Sequence, residues 1–140
     1  KDSIESARVI EKTFNTNVFS AFYVIESFGT ILKAGGVFIS STAGIWGTPS
    51  IPVYSSSKAA LNIFVQSLAK KWSKKARRAI VIAPGPTNTP MRQRIAKDAK
   101  KHQSPDSIAK IVKEIVLDKK YKNGDVIIAR NGTASKLKSS

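Results

Sequence analysis

Three side chains in the first half of the chain have types and spacing that could support proton transfer: Ser41, Tyr54 and Lys58. Tyr54 and Lys58 are four residues apart, so on a helix their side chains share one face. An ammonium beside a phenol favours the phenolate and lowers the pKa of the phenol from about 10 towards neutrality. A hydroxyl at Ser41 could hold a substrate oxygen near that phenol, as general acid–base catalysis requires. The alternative is a Tyr–Lys pair on a helix surface that has no chemical role.

Other kinds of catalytic site find little support in the sequence. The chain has one His and no Cys, which excludes disulfide scaffolds and zinc ribbons. His102 lies in a basic, polar stretch and is interpreted as a solvated surface residue, so we predict no metal site. The Gly-x-Ser-x-Gly elbow of many hydrolases is not present in the sequence.

The composition is that of a basic globular domain. The 140 residues are 41% hydrophobic and 24% charged, and their formal net charge is +15. Such a charge attracts nucleic acids, anionic membranes and phosphorylated ligands, and it does not distinguish between these classes of partner. Six of the nine residues from 70 to 78 are basic. We interpret this tract as a solvated helix end, because cations are stabilised near the C-terminus of a helix. Nucleic-acid binding is the alternative, but no RNA-binding, zinc-finger or heptad pattern accompanies the charge.

Residues 1–140 are predicted to form one domain. No apolar run approaches the roughly 18 residues of a membrane-spanning helix, and the first ten residues have no signal-peptide pattern. We therefore expect a cytoplasmic protein that does not contact a membrane. Position 1 is Lys and the single Met is Met91, so we expect the sequence to be part of a longer chain.

Apolar periodicity predicts helices that alternate with short buried strands. The predicted helices span 3–33, 53–75 and a segment from 106 that is capped by Ser104 or Ser107, and the predicted strands span 37–40, 79–83 and 125–129. Loops are predicted over 41–52 and 84–90, and residues 134–140 are expected to form a frayed tail. This alternation favours an α/β fold with a parallel sheet and right-handed crossovers.

Three blocks of sequence resemble the short-chain dehydrogenase/reductase family. The segment GGVFISSTAGIWGTPSIPVYSSSKAAL resembles its active-site segment, in which a Ser precedes the Tyr by thirteen residues and a Lys follows it by four. IAPGPTNTPM resembles the Pro-Gly segment after the family's next strand, and FNTNVFSAF resembles its Asn-containing helix. Near the end, NGDVIIARNG is similar to a degraded form of the last strand.

This resemblance implies the C-terminal part of a Rossmann-like, doubly wound parallel sheet, with about three strands and three or more helices. It also implies an oxidoreductase that transfers hydride between NAD or NADP and a small-molecule carbonyl or secondary alcohol. The implied catalytic residues are Asn17, Ser41, Tyr54 and Lys58. The implied cofactor-binding residues are Tyr54, Lys58, Pro84, Gly85, Thr87 and Thr89. The implied substrate-binding residues are Ser41, Ala43, Trp46, Tyr54 and Met91, although Trp46 could equally be a packing residue.

Two departures from the family limit these expectations. The glycine-rich turn and the Asn-Asn-Ala-Gly segment of the family are not in the sequence, so half of the cofactor site is missing. We therefore expect the 140-residue chain by itself to be inactive. The alternative function is an inactive fragment or a nucleic-acid-binding module that uses the basic surface. Arg130–Asn131 also replaces the usual Asp-Gly near the C-terminus.

The resemblance further implies a homodimer or homotetramer, because the family commonly associates through the two long helices predicted here. Five basic residues should flank the pocket mouth: Arg92, Arg94, Lys97, Lys100 and Lys101. They are either a solvated patch or a device that attracts anionic substrates, such as those of the family's 3-oxoacyl reductases.

Overall fold

A four-stranded sheet with the order β1-β2-β3-β4 lies at the centre of the computed structural model, which describes residues 4–94, 96–118 and 120–137. The strands are β1 Gly35–Ile39, β2 Arg78–Pro84, β3 Val126–Arg130 and β4 Thr133–Lys136. The first three strands are parallel, and β4 is antiparallel to β3. The predicted α/β architecture with a parallel sheet is confirmed, with one strand more than predicted.

Helices cover both faces of this sheet. They are α1 Ala7–Phe14, α2 Ser20–Phe28, α3 Ala43–Trp46, α4 Pro52–Trp72, α5 Pro90–Gln93 and α6 Pro105–Leu117. Alternate residues of β2 point to opposite faces, as the pleat of a strand requires. Ala79, Val81 and Ala83 pack in the α4 layer, whereas Ile80 and Ile82 pack in the α6 layer. Burial on both faces explains why this strand is a continuous apolar run.

The predicted helix over 3–33 is wrong in two respects. A π-helical segment, Asn15–Phe19, separates α1 from α2, and α2 ends at Phe28. Gly29 follows as the C-terminal cap, and the backbone N–H of Ile31 bonds to the carbonyl of Phe28 in a tighter turn. Glycine and β-branched residues are poor helix formers, so the apolar spacing alone overestimated the length of the helix. Residues 1–3 lie outside the described residues.

The predicted loops contain short helices. The loop over 41–52 contains α3, and the proline-rich segment ends in α5. The Thr89 hydroxyl accepts a hydrogen bond from the backbone N–H of Arg92 at 3.2 Å and so caps α5. Pro90 occupies the first helical position, where a missing N–H costs nothing. The Ser104 side chain caps α6, which confirms the first of the two predicted caps.

The predicted frayed tail over 134–140 is wrong for its first residues. Asn131 and Gly132 have φ values of 50° and 74°, which suit a tight hairpin turn between β3 and β4. Lys136 then places its ammonium 2.6 Å from the buried Asp125 carboxylate. The Asn-Gly pair was the local sign of this hairpin. Residues 138–140 lie outside the described residues.

Within the described ranges, no helix is both long enough and apolar enough to cross a membrane.

Candidate active site

The carboxyl ends of β1, β2 and β3 bring their following segments together at one edge of the sheet. The backbone N–H of Thr42 donates to the carbonyl of Pro84 at 3.0 Å, and the N–H of Gly85 donates to the carbonyl of Ala129 at 2.9 Å. Ligands of open α/β sheets bind in the crevice outside the carboxyl ends of the strands. The candidate site residues therefore lie where this fold class places its ligands.

Two adjacent serines follow β1, and their side chains lie in different environments. Ser40 is buried, and its hydroxyl donates to the carbonyl of Lys58 at 3.2 Å. Ser41 is half-buried, and its Oγ accepts a hydrogen bond from the backbone N–H of Ala43 at 3.1 Å. Ser40 thus ties β1 to α4, whereas the Ser41 hydroxyl donates to no acceptor within the described ranges.

Tyr54 and Lys58 lie together on α4, as their spacing predicts. The Lys58 Nζ atom is 5.8 Å from the centroid of the Tyr54 ring. The same ammonium donates to the carbonyl of Ile39, the last residue of β1, at 3.0 Å. Burial lowers the pKa of Lys58 from its ordinary value of 10.5, because removal from water disfavours the charged form.

This lowered pKa makes stability depend on pH. Between the lowered pKa of Lys58 and 10.5, the unfolded chain binds more protons at this position than the folded chain, so stability rises with pH. We expect the free energy of unfolding of the wild type, relative to Lys58→Met, to increase from neutral pH towards 10.5. Urea unfolding of both variants across this range measures the difference. Lys113→Met, at an exposed lysine of α6, controls for the loss of a positive charge. A difference that is constant or falls with pH would contradict the expectation.

A close contact at Gly44 holds α3 against α4. A Cβ atom at Gly44 would lie 2.7 Å from Lys58 Cβ and 2.8 Å from the backbone nitrogen of Ala59. The side-chain amide of Asn62 donates to the Gly44 carbonyl at 3.1 Å. The segment that begins at Ser41 is therefore fixed against the helix that carries Tyr54 and Lys58.

Asn17 lies in the π-helical segment Asn15–Phe19 and is connected to α4. Its side-chain amide donates to the Ser57 hydroxyl at 3.0 Å, and this hydroxyl donates to the Tyr54 carbonyl at 2.8 Å. Asn17 and Lys58 also line the same open cavity of about 370 Å³ along β1. The structure thus links the predicted Asn17 through Ser57 to the backbone of Tyr54 and places it on the same cavity as Lys58.

The end of β2 and the segment that follows it contain the predicted cofactor-binding residues that do not lie on α4. The Thr87 hydroxyl donates to the carbonyl of Gly85 at 2.9 Å. Pro84 is the last residue of β2, and the hydroxyl of Thr89 caps α5. These contacts hold the segment 84–89 in a defined conformation beside Thr42.

Sequence reasoning missed Gln103, which holds this segment in place. Its Nε2 donates to the carbonyl of Gly85 at 3.2 Å and to the carbonyl of Ala129 at 3.1 Å. Its backbone carbonyl accepts from the N–H of Asn88 at 2.8 Å. The Oε1 atom of Gln103 is buried and has no partner among the described residues. A single Gln in a basic stretch belongs to no sequence motif, so only the tertiary contacts show that Gln103 holds this segment.

The predicted substrate-binding residues differ in exposure. Ala43 is buried, whereas Trp46 and Met91 are 57% and 77% exposed. The guanidinium carbon of Arg130 lies 4.7 Å from the centroid of the Trp46 ring. Trp46 therefore presents an aromatic surface at the carboxyl edge of the sheet, and Ala43 contributes packing.

Part of the basic tract over 70–78 has a structural role. Arg77 donates to the carbonyl of Gly29, and Arg78 donates to backbone carbonyls at the end of α6 and beyond it. Lys70 and Lys71 are exposed in the last turn of α4, in agreement with a solvated helix end.

The prediction of a solvated His102 is wrong: its side chain is 16% exposed and its Nε2 lies 3.5 Å from the Asp98 carboxylate.

Comparison with known protein families shows which family the chain belongs to. The family model for short chain dehydrogenase matches residues 2–100. The chain belongs to the short-chain dehydrogenase family. General stress protein 39 of Bacillus subtilis is 33% identical over 95 residues, which cover 65% of this chain and 33% of that protein. The uncharacterized oxidoreductase YhdF of Bacillus subtilis is 36% identical over 88 residues, which cover 61% of this chain and 30% of that protein.

Solved structures of short-chain dehydrogenases have the same fold. A short chain dehydrogenase from Escherichia coli CFT073, complexed with NADPH, matches with a TM-score of 0.80 and 26% identity. The match covers 89% of this chain and 55% of that one. The chain thus spans about half the length of this structure and about a third of the curated relatives described above.

Proposed function

We propose that the protein that carries this chain is a short-chain dehydrogenase that transfers hydride between NAD or NADP and a carbonyl or secondary alcohol. This proposal is supported by the placement of Lys58 beside Tyr54, together with the hydrogen bonds that join Lys58 to Ile39 and Ser40 at the end of β1, next to Ser41. The NADPH in the similar Escherichia coli structure supports the choice of cofactor.

The residues present fit the reacting end of a nicotinamide cofactor. The buried Oε1 of Gln103 is an acceptor with no partner among the described residues, beside a segment whose Gly85 is itself buried. Lys58 and Thr87 supply an ammonium and a hydroxyl to the same edge of the sheet. The glycine-rich turn that binds the pyrophosphate in this fold is not in the sequence, so these residues account for part of a cofactor site.

In this proposal the chain supplies orientation and a proton, while the bound nicotinamide supplies the hydride. Ser41 donates a hydrogen bond to the substrate oxygen and holds it near Tyr54. The Tyr54 hydroxyl would give its proton to the carbonyl oxygen of the substrate, which becomes the oxygen of the alcohol. The Lys58 ammonium stabilises the phenolate that remains. Asn17 positions α4 through Ser57.

Loss of the absorbance of reduced nicotinamide in the presence of carbonyl compounds tests this function. The protein that carries this chain is incubated with NADPH or NADH and a panel of ketones and aldehydes. Oxidation of the cofactor that requires both the protein and a carbonyl supports an oxidoreductase. Salt-sensitive binding to random DNA, with no turnover of any panel member, would favour the nucleic-acid-binding alternative instead.

A narrower proposal concerns the substrate. The segment after β2 carries five cations, of which Arg94, Lys97, Lys100 and Lys101 are exposed and Arg92 is half-buried. Exposed charges of one sign raise the local concentration of oppositely charged ligands. These cations favour the binding of acidic substrates such as 3-oxoacyl groups on an acidic carrier. The panel of carbonyl compounds therefore includes 3-oxoacyl thioesters.

We also propose that the protein forms homodimers or homotetramers through α1, α2 and α4. Large apolar side chains on these helices are exposed, including Tyr23, Phe28 and Ile63. Exposed apolar side chains on neighbouring helices are a common feature of interaction sites.

We expect Ile63→Glu to weaken self-association by about tenfold or more, because a charge at a buried interface position is costly. Sedimentation velocity over a range of protein concentrations measures the change. Leu117→Glu is the matched control, because Leu117 is 71% exposed but lies on α6, on the other side of the sheet. A monomeric wild type, or equal effects of the two substitutions, would remove the proposed interface.

A further inference from the structure

Arg130 and Trp46 form a cation–π pair at the edge of the candidate active site. Arg130 is the last residue of β3, and its guanidinium carbon lies 4.7 Å from the centroid of the Trp46 ring. Trp46 ends α3, within the segment that joins Ser41 to Tyr54. Both side chains are exposed. The pair therefore connects the end of the third strand with the segment that carries the candidate catalytic residues.

The guanidinium of Arg130 is oriented while its hydrogen-bond donors stay free. In the part of the chain that the structure describes, it makes no hydrogen bond or ion pair, whereas Arg77 and Arg78 bond to backbone carbonyls. Attraction between a guanidinium and the face of an indole uses no hydrogen-bond donor. The contact with Trp46 thus restrains the guanidinium and leaves its five donors available.

The stem of Arg130 is held against the segment after β2. A Cβ atom at Gly85 would lie 3.0 Å from Arg130 Cγ and 3.5 Å from its Nε. Gly85 is buried and is bound by Gln103. The Arg130 side chain therefore lies close to Gly85 along its stem and close to Trp46 at its guanidinium.

We infer that Arg130, oriented by Trp46, binds an oxyanion group of the substrate and thereby determines specificity. A carboxylate and a phosphate both offer the two acceptor oxygens that a guanidinium fork binds. The substrate class is thus a carbonyl or alcohol that carries an acidic group. This inference rests on the proposed oxidoreductase function, which supplies the reacting carbonyl.

Tryptophan fluorescence tests the binding step without any turnover. The chain has two tryptophans, and Trp72 is buried at 4% exposure, so ligand-dependent changes in emission report Trp46. The 140-residue chain is titrated at constant ionic strength with acetoacetate and dihydroxyacetone phosphate, and with their neutral counterparts methyl acetoacetate and dihydroxyacetone. We expect a saturable change for at least one of the two anions and for neither neutral compound. The responding anion identifies the group as carboxylate or phosphate.

Two substitutions decide whether Arg130 is responsible. Arg130→Gln is expected to weaken anion binding by about tenfold or more, since charge-assisted hydrogen bonds are among the strong ones. Arg8→Gln removes the same charge from an exposed position on α1 and should leave the titration unchanged. The inference is overturned if neither anion gives a saturable change, or if Arg130→Gln responds like the wild type.

The failure of this inference is separable from a failure of the proposed function. In the protein that carries this chain, Arg130→Gln should lower kcat/KM about tenfold or more for the responding anion relative to its neutral counterpart. Turnover with equal kcat/KM ratios in the variant and the wild type would overturn the role of Arg130 and leave the oxidoreductase intact. Anion binding without any turnover would support the Arg130 site and count against the proposed function.

Discussion

Replacement of Tyr54 by Phe is expected to lower kcat of the protein that carries this chain by about 10²–10⁴-fold, the usual contribution of a positioned general acid. Phe keeps the aromatic ring beside Lys58 and removes only the hydroxyl, so packing on α4 should be preserved. Nicotinamide binding should also persist, because the other cofactor contacts proposed for this chain come from Lys58 and the segment after β2. Steady-state kinetics measures kcat, and calorimetry with the cofactor measures its dissociation constant.

Tyr23→Phe is the matched control for this experiment. Tyr23 lies on α2 and is 69% exposed, and Phe keeps the apolar ring that the proposed interface uses, so loss of its hydroxyl should leave kcat and cofactor binding unchanged. If Tyr54→Phe kept more than about a tenth of the wild-type kcat, the proposed role of Tyr54 as the proton donor would be wrong.

Gly44→Ala is expected to cause the second large effect, which combines a loss of stability with a loss of activity. The added Cβ would stand 2.7 Å from Lys58 Cβ and 2.8 Å from the backbone nitrogen of Ala59. Because α4 packs on β2, the helix cannot retreat without disturbing the core. Overpacking of this kind typically costs about 1–3 kcal/mol in the free energy of unfolding. Displacement of α3 by about 1 Å would also misplace Ser41 and lower kcat/KM by about 10²-fold.

Urea unfolding and steady-state kinetics of Gly44→Ala measure these two losses. Gly36→Ala is the control, because its added Cβ would make an ordinary contact with the Phe38 ring at 3.4 Å. It adds the same methyl group and changes the unfolded chain in the same way. Equal unfolding free energies for the two variants, together with full activity of Gly44→Ala, would show that the contact between α3 and α4 is not needed.

Local patterns were sufficient to predict the three parallel strands, α4, α6 and the proximity of Tyr54 and Lys58. Tyr54 and Lys58 are one helical turn apart, so their proximity follows from helix geometry once α4 is recognised. The doubly buried β2 has an apolar run that suits a parallel strand, and the order of helices and strands then leads to the parallel sheet. Ser41 and the segment after β2 followed from motifs that occupy the ends of these strands.

Two local features of the fold were not predicted. The Asn-Gly turn before β4 was a local sign that was overlooked, and the π-helical segment around Asn17 had no local sign that apolar spacing could reveal. Residues 15–19 continue the apolar periodicity of a helix, so the pattern does not distinguish α-helical from π-helical backbone.

The sequence by itself determined the fold class, the family motifs and the Tyr54–Lys58 pair, because each of these depends on residues within one element or one segment. Only the tertiary structure decided that Gln103 secures Gly85, that Gly44 sets the approach of α3 to α4, and that Arg130 lies over the Trp46 ring. Trp46 and Arg130 are far apart along the chain and come from different elements. Their meeting depends on the order and register of the parallel strands and on the packing of the following loops, which no short-range pattern encodes.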